Sequence, residues 1–293
     1  MKCQPLLQCI APAKVNVFLE VLGKRDDGFH ELETVMLRTT LCDVLQFQDT
    51  DQGQLSLQTA DDSRSPEQAG FPLDSSNLIL KAATALQQAT GCNRGAQITI
   101  SKKIPAEAGL AGGSSDAATT LLALNQLWNL NLPRAALHEI AATLGSDLNF
   151  FVQNCRAAVC RGRGEQVQPV SMNGRLHLVV ARPARGNSTP QVFAGMHPAA
   201  SVHSSIDIVK ALEGGSVDAL VRAAFNRLTE PARRLNPEMA ELSDHMSLLF
   251  HRPVFMSGSG STLFAFARSS REAGKLARRL QRADLPFVSS VEV

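Results

Sequence analysis

The chain of 293 residues has no tyrosine, one tryptophan and 13 phenylalanines. Without tyrosine, no mechanism here can use a phenol as an acid or base. The few aromatic rings leave little surface for stacking bases, and 29 basic against 27 acidic residues give a net charge of only +2. Because nucleic-acid-binding proteins usually carry a basic surface, this composition argues against that class.

Metal-binding and disulfide patterns are also missing. The seven histidines form no HExxH motif, and no CxxC pair occurs among the six cysteines, Cys3, Cys9, Cys42, Cys92, Cys155 and Cys160. These spacings argue against a zinc module. A chain of this length buries enough apolar surface to fold without disulfides. We therefore expect the cysteines to be small buried hydrophobic residues in a reducing compartment.

Long apolar runs and internal repeats are absent as well. No run approaches the ~18 residues of a transmembrane helix, and no repeat has a period of ~20–50 residues. The N-terminal stretch LLQCIAPA is too short for a signal-peptide core and is interrupted by Gln8. These absences predict a soluble, cytoplasmic protein. The 44% hydrophobic and 19% charged residues are typical of a globular chain of one large or two modest domains.

Strand and helix patterns alternate along the chain. Strand patterns occupy 13–23, 33–48 (as one strand or two), 96–104, 157–162 and 176–182, and residues 49–76 predict a polar loop with short strands such as LSLQ. Helices are predicted at 78–90, 116–128, 134–144, 205–213, 216–225, 236–250 and 270–283, the first capped by Asn77 and its two serine neighbours and ended by Gly91. Residues 252–267 predict a strand, a Gly/Ser turn and a second strand. This order favours an α+β fold with a domain junction near 165–190.

The segment GLAGGSSDAA (109–118) joins a predicted strand to a predicted helix. Glycines allow close approach of a ligand, and a helix N-terminus offers unpaired N–H groups to an anion. Ser114 or Ser115 could cap the helix, or turn its hydroxyl toward phosphate or magnesium. The segment matches neither GxxxxGK[ST] nor GxGxxG, so an ordinary capped connection stays open. A second turn, SGSGST (257–262), is by itself better explained by a hairpin, but two such turns in one chain favour a shared phosphate site.

Three segments together resemble the GHMP kinase superfamily. Residues 12–16 (PAKVN) resemble its N-terminal motif, 105–115 its central glycine-serine loop and 256–261 its C-terminal glycine-rich turn, in the family's order and spacing. The segments DGFHEL, LGSDLNFFV and RGRGE narrow the resemblance to the branch whose acceptor carries a cytidine diphosphate group. The resemblance implies transfer of the ATP γ-phosphate to the 2-hydroxyl of a methylerythritol moiety, a step of non-mevalonate isoprenoid precursor synthesis.

The same resemblance implies a fold, cofactors and partners. The fold would be a two-domain α+β GHMP kinase fold. It would have a ribosomal-protein-S5-like α/β domain at 1–164 and a ferredoxin-like α+β domain at 165–293, with the active site in the cleft between them. ATP and Mg²⁺ would be the cofactors. The partner would be a small-molecule substrate, with no nucleic acid and no membrane, and the protein would be a monomer or homodimer.

The resemblance implies that Asp147 is the catalytic base and Lys14 its electrostatic partner. From position alone, a helix cap is the favoured interpretation of Asp147, and a surface position stays open as the alternative for Lys14 on its half-buried strand. The cytosine ring would lie between Phe29 and Phe193, with its edge at His30. The implied substrate contacts are Asn16, Phe29, His30, Thr189, Pro190 and Phe193.

The implied ATP contacts lie mostly in the central loop. They are Asn77, Lys102, Pro105, Gly109, Leu110, Ala111, Gly112, Gly113, Ser114 and Ser115, with Gly258, Ser259 and Gly260 in the C-terminal turn, and Ser115 is the candidate magnesium contact. Lys103, beside Lys102, is the alternative for that position.

The chain departs from the family pattern at several positions, namely Phe29, Met36, Ala108, Ala111 and Asn149. Since alanine restricts φ, we expect the loop to avoid left-handed geometry at Ala108 and Ala111. Three alternative functions stay open: another small-alcohol kinase of the superfamily, a binding module that kept the fold and lost catalysis, and an RNA-binding protein.

Overall fold

A computed structural model describes residues 6–50, 53–60, 71–196, 201–281 and 285–293. The strands in these ranges are β1 (Leu6–Lys24), β2 (His30–Thr50), β3 (Leu55–Thr59), β4 (Gly95–Ser101), β5 (Ala157–Gly162), β6 (Gln166–Pro169), β7 (His177–Arg182), β8 (Phe225–Asn226), β9 (Phe255–Met256), β10 (Leu263–Ala267) and β11 (Phe287–Glu292). The helices are α1 (Leu78–Thr90), α2 (Gly112–Leu127), α3 (Arg134–Leu144), α4 (Leu148–Gln153), α5 (Thr189–Ala194), α6 (Ile206–Gly214), α7 (Val217–Ala223), α8 (Thr229–Leu235), α9 (Pro237–Phe250) and α10 (Ser270–Leu280). The predicted α+β class is confirmed.

Helix α1 shows why the longer elements could be predicted. The Asn77 side chain accepts the backbone N–H of Ile79 at 2.9 Å, which caps the helix start. Gly91 ends the helix in the left-handed region, at a φ of 65°. Both signals are local in sequence, and the predicted bounds of 78–90 are confirmed.

Several elements differ from the predictions. Residues 30–50 form one continuous strand, and α2 begins at Gly112, four residues before the predicted start. The short elements β6, β8, β11, α5 and α8 were not predicted, because two to seven residues carry too little periodicity. Cys3, residues 51–52 and 61–70 of the predicted polar loop, and 282–283 of the last predicted helix lie outside the described residues.

The chain divides into two compact units. The first takes its described residues from 1–13, 41–106 and 111–154, and the second from 14–40, 107–110 and 155–293. Strands β1 and β2 contribute residues to both units. The domain boundary between 164 and 165 stays a prediction.

The first unit packs helices α1 to α4 against one another. Strand β4 pairs parallel with β3 and antiparallel with β2, and its residues Ile98 and Ile100 are fully buried. Trp128 is buried just beyond α2 and donates its Nε1–H to the carbonyl of Gly95 at 3.1 Å. The one tryptophan of the chain thus anchors the end of α2 to the start of β4.

The second unit contains a four-stranded antiparallel sheet in the order β11-β7-β10-β9. Every residue of β10 is buried, and α10 packs on β7, β10 and β11. In the same unit β2 pairs antiparallel with β5, and β1 pairs parallel with β8 at Phe18 and Phe225. The apolar core of this unit includes Val179, Ala265 and Leu280.

The cysteines are less buried than the sequence predicted. Among the described ones, only Cys160 is buried, and the other four are partly exposed. The prediction of buried cysteines is therefore confirmed at one position and wrong at four. No helix in the described ranges is long and apolar enough to cross a membrane.

Candidate functional site

Lys14 lies on β1 in the second unit and is 3% exposed, so it is more buried than the sequence predicted. Its ammonium donates to the Asn16 side-chain oxygen at 2.6 Å and to the Gly109 carbonyl at 2.9 Å. The Nδ2 of Asn16 donates in turn to the hydroxyl of Thr34 at 2.8 Å. Two residues apart on one strand, Lys14 and Asn16 point the same way. These contacts hold a buried cation at a defined place.

The segment Glu107–Leu110 lies directly against the C-terminal turn (257–260) in the second unit. The Leu110 carbonyl accepts the backbone N–H of Lys14 at 3.1 Å, and the Ser257 hydroxyl donates to the Gly109 carbonyl at 2.9 Å. Gly109 has a φ of 71°, and a Cβ there would lie 2.3 Å from the Ser257 carbonyl oxygen. Only glycine fits at this close backbone approach. The structure therefore brings Gly109 and Leu110 together with Lys14 and the turn.

Two asparagines that sequence reasoning missed hold this turn in place. Asn187 donates its Nδ2 to the Ser259 carbonyl at 2.8 Å, and Asn226 donates its Nδ2 to the carbonyls of Met256 and Gly258, each at 2.8 Å. The hydroxyls of Thr189 and Ser259 are hydrogen-bonded at 2.7 Å. No local pattern in the sequence points to either asparagine, since their partners in the turn lie at least 30 positions away along the chain.

The residues predicted to bind cytosine occupy two places in the second unit. The rings of His30 and Phe193 are stacked, with centroids 4.8 Å apart and planes 25° apart. Phe29 is 51% exposed, and the guanidinium of Arg163 lies 4.9 Å from its ring centre. Pro190 is exposed in the first turn of α5. Burial lowers the pKa of His30, and the positive charge of Lys24 lowers it further. The imidazole is therefore neutral at neutral pH.

Ala111, in the first unit, corrects one expectation about the loop. It precedes α2 with φ 55° and ψ 35°, which is left-handed geometry, whereas Ala108 is not among the residues with positive φ. The expectation that both alanines avoid this region is right at Ala108 and wrong at Ala111. The left-handed region costs an alanine roughly 1–2 kcal/mol. The fold imposes the geometry because the Ala111 carbonyl already accepts the N–H of Ser115 in the first turn of α2.

The serines of the loop do not cap α2, because the helix begins before them. Ser114 and Ser115 lie within its first turn, with Ala111 at the capping position. The Ser115 hydroxyl is fully buried and has no hydrogen-bond partner among the described residues. Gly113 is exposed, and a Cβ there would meet no atom within 4 Å. The turn thus combines N–H groups that a helix start leaves unpaired with a buried, unpaired hydroxyl.

Lys102, implied as an ATP contact, lies in a buried charged triad of the first unit. Its ammonium donates to Asp43 at 2.5 Å and to Asp116 at 2.8 Å, and all three side chains are at most 4% exposed. Asp43 also accepts the backbone N–H groups of Lys103 and Ile104. Lys103 itself is exposed. The triad joins the interior of β2 and the end of β4 to the N-terminal part of α2, which positions the start of that helix.

The triad predicts a pH dependence of stability. Burial raises the pKa of Asp116 to about 8, while the charge of Lys102 opposes the rise and that of Asp43 adds to it. A carboxyl whose pKa is raised on folding stabilises the protein below its unfolded pKa of 3.8, and this stability is lost as the pH rises toward about 8. Between these two pKa values, the free energy of unfolding of the wild type should fall by about 1 kcal/mol per pH unit because of Asp116. We expect Asp116→Asn to lack this contribution. Urea titrations at pH 5, 6, 7 and 8 measure it.

Asp244→Asn is the matched control, because Asp244 is 67% exposed and pairs with Arg233 on the surface. This control should follow the wild-type pH dependence. Equal pH slopes for Asp116→Asn and the wild type would show that Asp116 does not hold a proton in the folded state.

Asp147 lies at the N-cap position of α4 in the first unit, but its side chain makes no capping hydrogen bond. Helix capping, the alternative reading of this aspartate, is therefore not its role. Asn77 is 5% exposed, and besides capping α1 it donates its Nδ2 to the Pro72 carbonyl at 2.5 Å. Pro105, also in the first unit, is buried after the end of β4.

Comparison with known proteins covers nearly the whole chain. The family model "GHMP kinases N terminal domain" matches residues 77–155, and "GHMP kinases C terminal" matches 208–285. The 4-diphosphocytidyl-2-C-methyl-D-erythritol kinase of Pelotomaculum thermopropionicum is 35% identical over 281 residues, which are 95% of each chain. The chain belongs to the family of 4-diphosphocytidyl-2-C-methyl-D-erythritol kinases.

Two further comparisons support the same family assignment. The protein of the same name from an Acidovorax strain is 40% identical over 265 residues, covering 89% of this chain and 88% of the relative. A crystal structure of a 4-(cytidine 5'-diphospho)-2C-methyl-D-erythritol kinase superposes with a TM-score of 0.81 at 34% identity over 98% of each chain. The expected superfamily, the GHMP kinase fold and the class of enzyme, an ATP-dependent kinase, are confirmed.

Proposed function

We propose that the chain transfers the γ-phosphate of ATP to the 2-hydroxyl of 4-diphosphocytidyl-2-C-methyl-D-erythritol, in isoprenoid precursor biosynthesis. The observation that carries the proposal is end-to-end similarity, over 95% of both chains, to a relative named for this substrate. A cytoplasmic location, a monomeric or homodimeric state and the boundary at 164 and 165 stay predictions from the sequence.

Two residues carry the proposed chemistry. Asp147 accepts the proton of the acceptor hydroxyl as it attacks, and the Lys14 ammonium stabilises the negative charge that develops in the transition state. The contacts of Lys14 support its role, since Gly109 and Asn16 fix its ammonium before any ligand binds. Charge stabilisation is most effective when the charged group needs no reorganisation during the reaction.

The proposed cytidine contacts are Phe29, His30 and Phe193, with Thr189, Pro190 and Asn16 toward the rest of the substrate. A neutral imidazole at His30 both donates and accepts a hydrogen bond, as the edge of cytosine requires. His30 and Phe193 already stack, and Phe29 exposes half of its surface. Phenylalanine at position 29 keeps the stacking face that a tyrosine would offer.

The residues around the start of α2 fit the phosphates of ATP. Gly109–Gly113 supply backbone N–H groups beside the helix N-terminus, where the dipole favours anions. Gly258, Ser259 and Gly260 are the second proposed phosphate contact. The buried, unpartnered Ser115 hydroxyl fits a magnesium ion, which keeps most of its ligands as water and phosphate oxygen. Bound magnesium would neutralise phosphate charge. For the adenosine end we propose Asn77 and Lys102, although both side chains already hold protein partners.

Replacing Phe193 by alanine should weaken binding of the cytidine substrate. The loss of a stacked base corresponds to ~1–3 kcal/mol, or a KM raised by roughly 5- to 150-fold, while the KM for ATP stays nearly constant. Steady-state kinetics with each substrate varied in turn measures both constants.

Phe193→Leu separates stacking from packing, since Phe193 also packs against the apolar core of the second unit. The leucine variant should raise the same KM while keeping the melting temperature close to that of the wild type. An unchanged KM for the cytidine substrate in both variants would show that Phe193 does not bind this substrate.

An ADP-release assay with ATP and magnesium tests the function directly. It compares 4-diphosphocytidyl-2-C-methyl-D-erythritol with mevalonate, homoserine and galactose. We expect turnover only with the cytidine substrate. Turnover of another alcohol would agree with the GHMP kinase superfamily but would contradict the proposed substrate. ATP binding without turnover of any of the four alcohols would favour an inactive binding module.

A further inference from the structure

We propose that Ser257 is a positioning residue for the Lys14 ammonium, acting through the two groups that hold it. This inference rests on the role proposed for Lys14 and adds a residue to it. Ser257 lies in the second unit, 243 positions after Lys14, in a turn that the family resemblance assigns to phosphate binding through its glycines.

One hydroxyl contacts both residues that bind the ammonium. Ser257 Oγ donates to the Gly109 carbonyl at 2.9 Å and accepts the backbone N–H of Asn16 at 3.1 Å. Lys14 Nζ donates to the same carbonyl at 2.9 Å and to the Asn16 side chain at 2.6 Å. The Gly109 carbonyl therefore takes one donor from Ser257 and one from Lys14, so a displacement of this oxygen would displace the ammonium with it.

Ser257 is itself held rigidly. It is 0% exposed, its N–H donates to the Thr262 carbonyl at 3.0 Å, and its carbonyl accepts the N–H of Gly260 at 2.9 Å. A buried hydroxyl on a fixed backbone, using both its donor and its acceptor, defines the positions of its partners. Removing it leaves the Asn16 N–H without this acceptor and lets the Gly109 carbonyl move.

Such a movement affects catalysis more than binding. A cation stabilises a developing charge only while its distance from that charge is kept, and a misplacement of about 1 Å costs up to ~100-fold in rate. We expect Ser257→Ala to lower kcat by about 10- to 100-fold and to change the KM for ATP by less than about 3-fold.

Thr262→Val is the matched control. The Thr262 hydroxyl is also fully buried, close to Ser257 in the chain, but it has no hydrogen-bond partner in the described part of the structure. Valine keeps its shape and removes the hydroxyl, so kcat should stay within about 2-fold of the wild type. Ser257→Cys, which fills the same space, replaces the alanine variant if thermal melting shows that alanine prevents folding.

A double-mutant cycle separates positioning from a purely structural role. If Ser257 acts through Lys14, Ser257→Ala should change kcat by less than about 2-fold when Lys14 is already alanine. An equal loss of kcat in both backgrounds would overturn the proposal, and so would a wild-type kcat for Ser257→Ala.

A second readout does not depend on turnover. Mass spectrometry follows the acylation of Lys14 by an N-hydroxysuccinimide ester, which we expect to be several-fold faster in Ser257→Ala than in the wild type and in Thr262→Val. An unchanged acylation rate overturns the positioning role. If the wild type does not phosphorylate the cytidine substrate, the proposed function fails while this measurement still decides the role of Ser257.

Discussion

Asp147→Asn is expected to lower kcat by about 100- to 10,000-fold, the usual contribution of a general base. The amide keeps the shape of the carboxylate but cannot accept the proton of the acceptor hydroxyl. Binding of ATP should change little, because the proposed ATP contacts lie on other residues. Steady-state turnover with the cytidine substrate, together with ATP binding measured by calorimetry, gives both quantities.

The control for this variant is Asp207→Asn on the exposed side of α6, which should keep the wild-type kcat. A turnover near that of the wild type in Asp147→Asn would reject the aspartate as base. A loss of ATP binding along with kcat would instead indicate that the carboxylate supports the fold around it.

Gly109→Ala is expected to destabilise the protein by more than about 2 kcal/mol and to abolish most of its activity. The new Cβ would lie 2.3 Å from the Ser257 carbonyl oxygen and 2.9 Å from that of Gly260, and both are backbone atoms that cannot rotate away. The φ of 71° adds the cost of left-handed geometry for alanine. Urea unfolding and the ADP-release assay measure the two effects.

Gly214→Ala tests whether the loss of stability in Gly109→Ala comes from the close backbone approach at Gly109. Gly214 ends α6, and a Cβ there would meet no atom within 4 Å. Alanine at this position should leave stability equal to the wild type or higher by up to about 1 kcal/mol. Equal stability of Gly109→Ala and the wild type would mean that the backbone segments separate at little cost.

The predictions from the sequence were best where one short segment carries the whole signal. The cap at Asn77 and the stop at Gly91 are local, and the structure confirms the helix between them. The pattern at 13–23 is local too, and a strand forms there, but residues 13–21 are buried on both faces, so the predicted half-buried strand is wrong in its burial. The three glycine-containing motifs identified the family because residue type and spacing suffice for that. The predictions were weaker at the start of α2, where the glycines that suggested a loop are already helical.

The charged residues show what local reasoning leaves out. Lys102 was implied as a nucleotide contact, and the structure places its ammonium between Asp43 and Asp116, 59 and 14 positions away in the chain. The burial of Lys102 beside two aspartate side chains is a property of the packed core, which no short pattern encodes. The roles of Asp147, Lys14 and the cytidine contacts stay proposals for the experiments above.

By itself, the sequence determined the class of fold, the longer helices and strands, and membership of the kinase family. These follow from hydrophobic periodicity, caps and motif spacing, which are properties of neighbouring residues. Only the tertiary structure decided how Lys14 is held, why position 109 must be glycine, and that Ala111 adopts left-handed geometry. The partners of Lys14 and Gly109 include Ser257, 148 positions beyond Gly109, and only folding brings such distant groups into hydrogen-bonding distance.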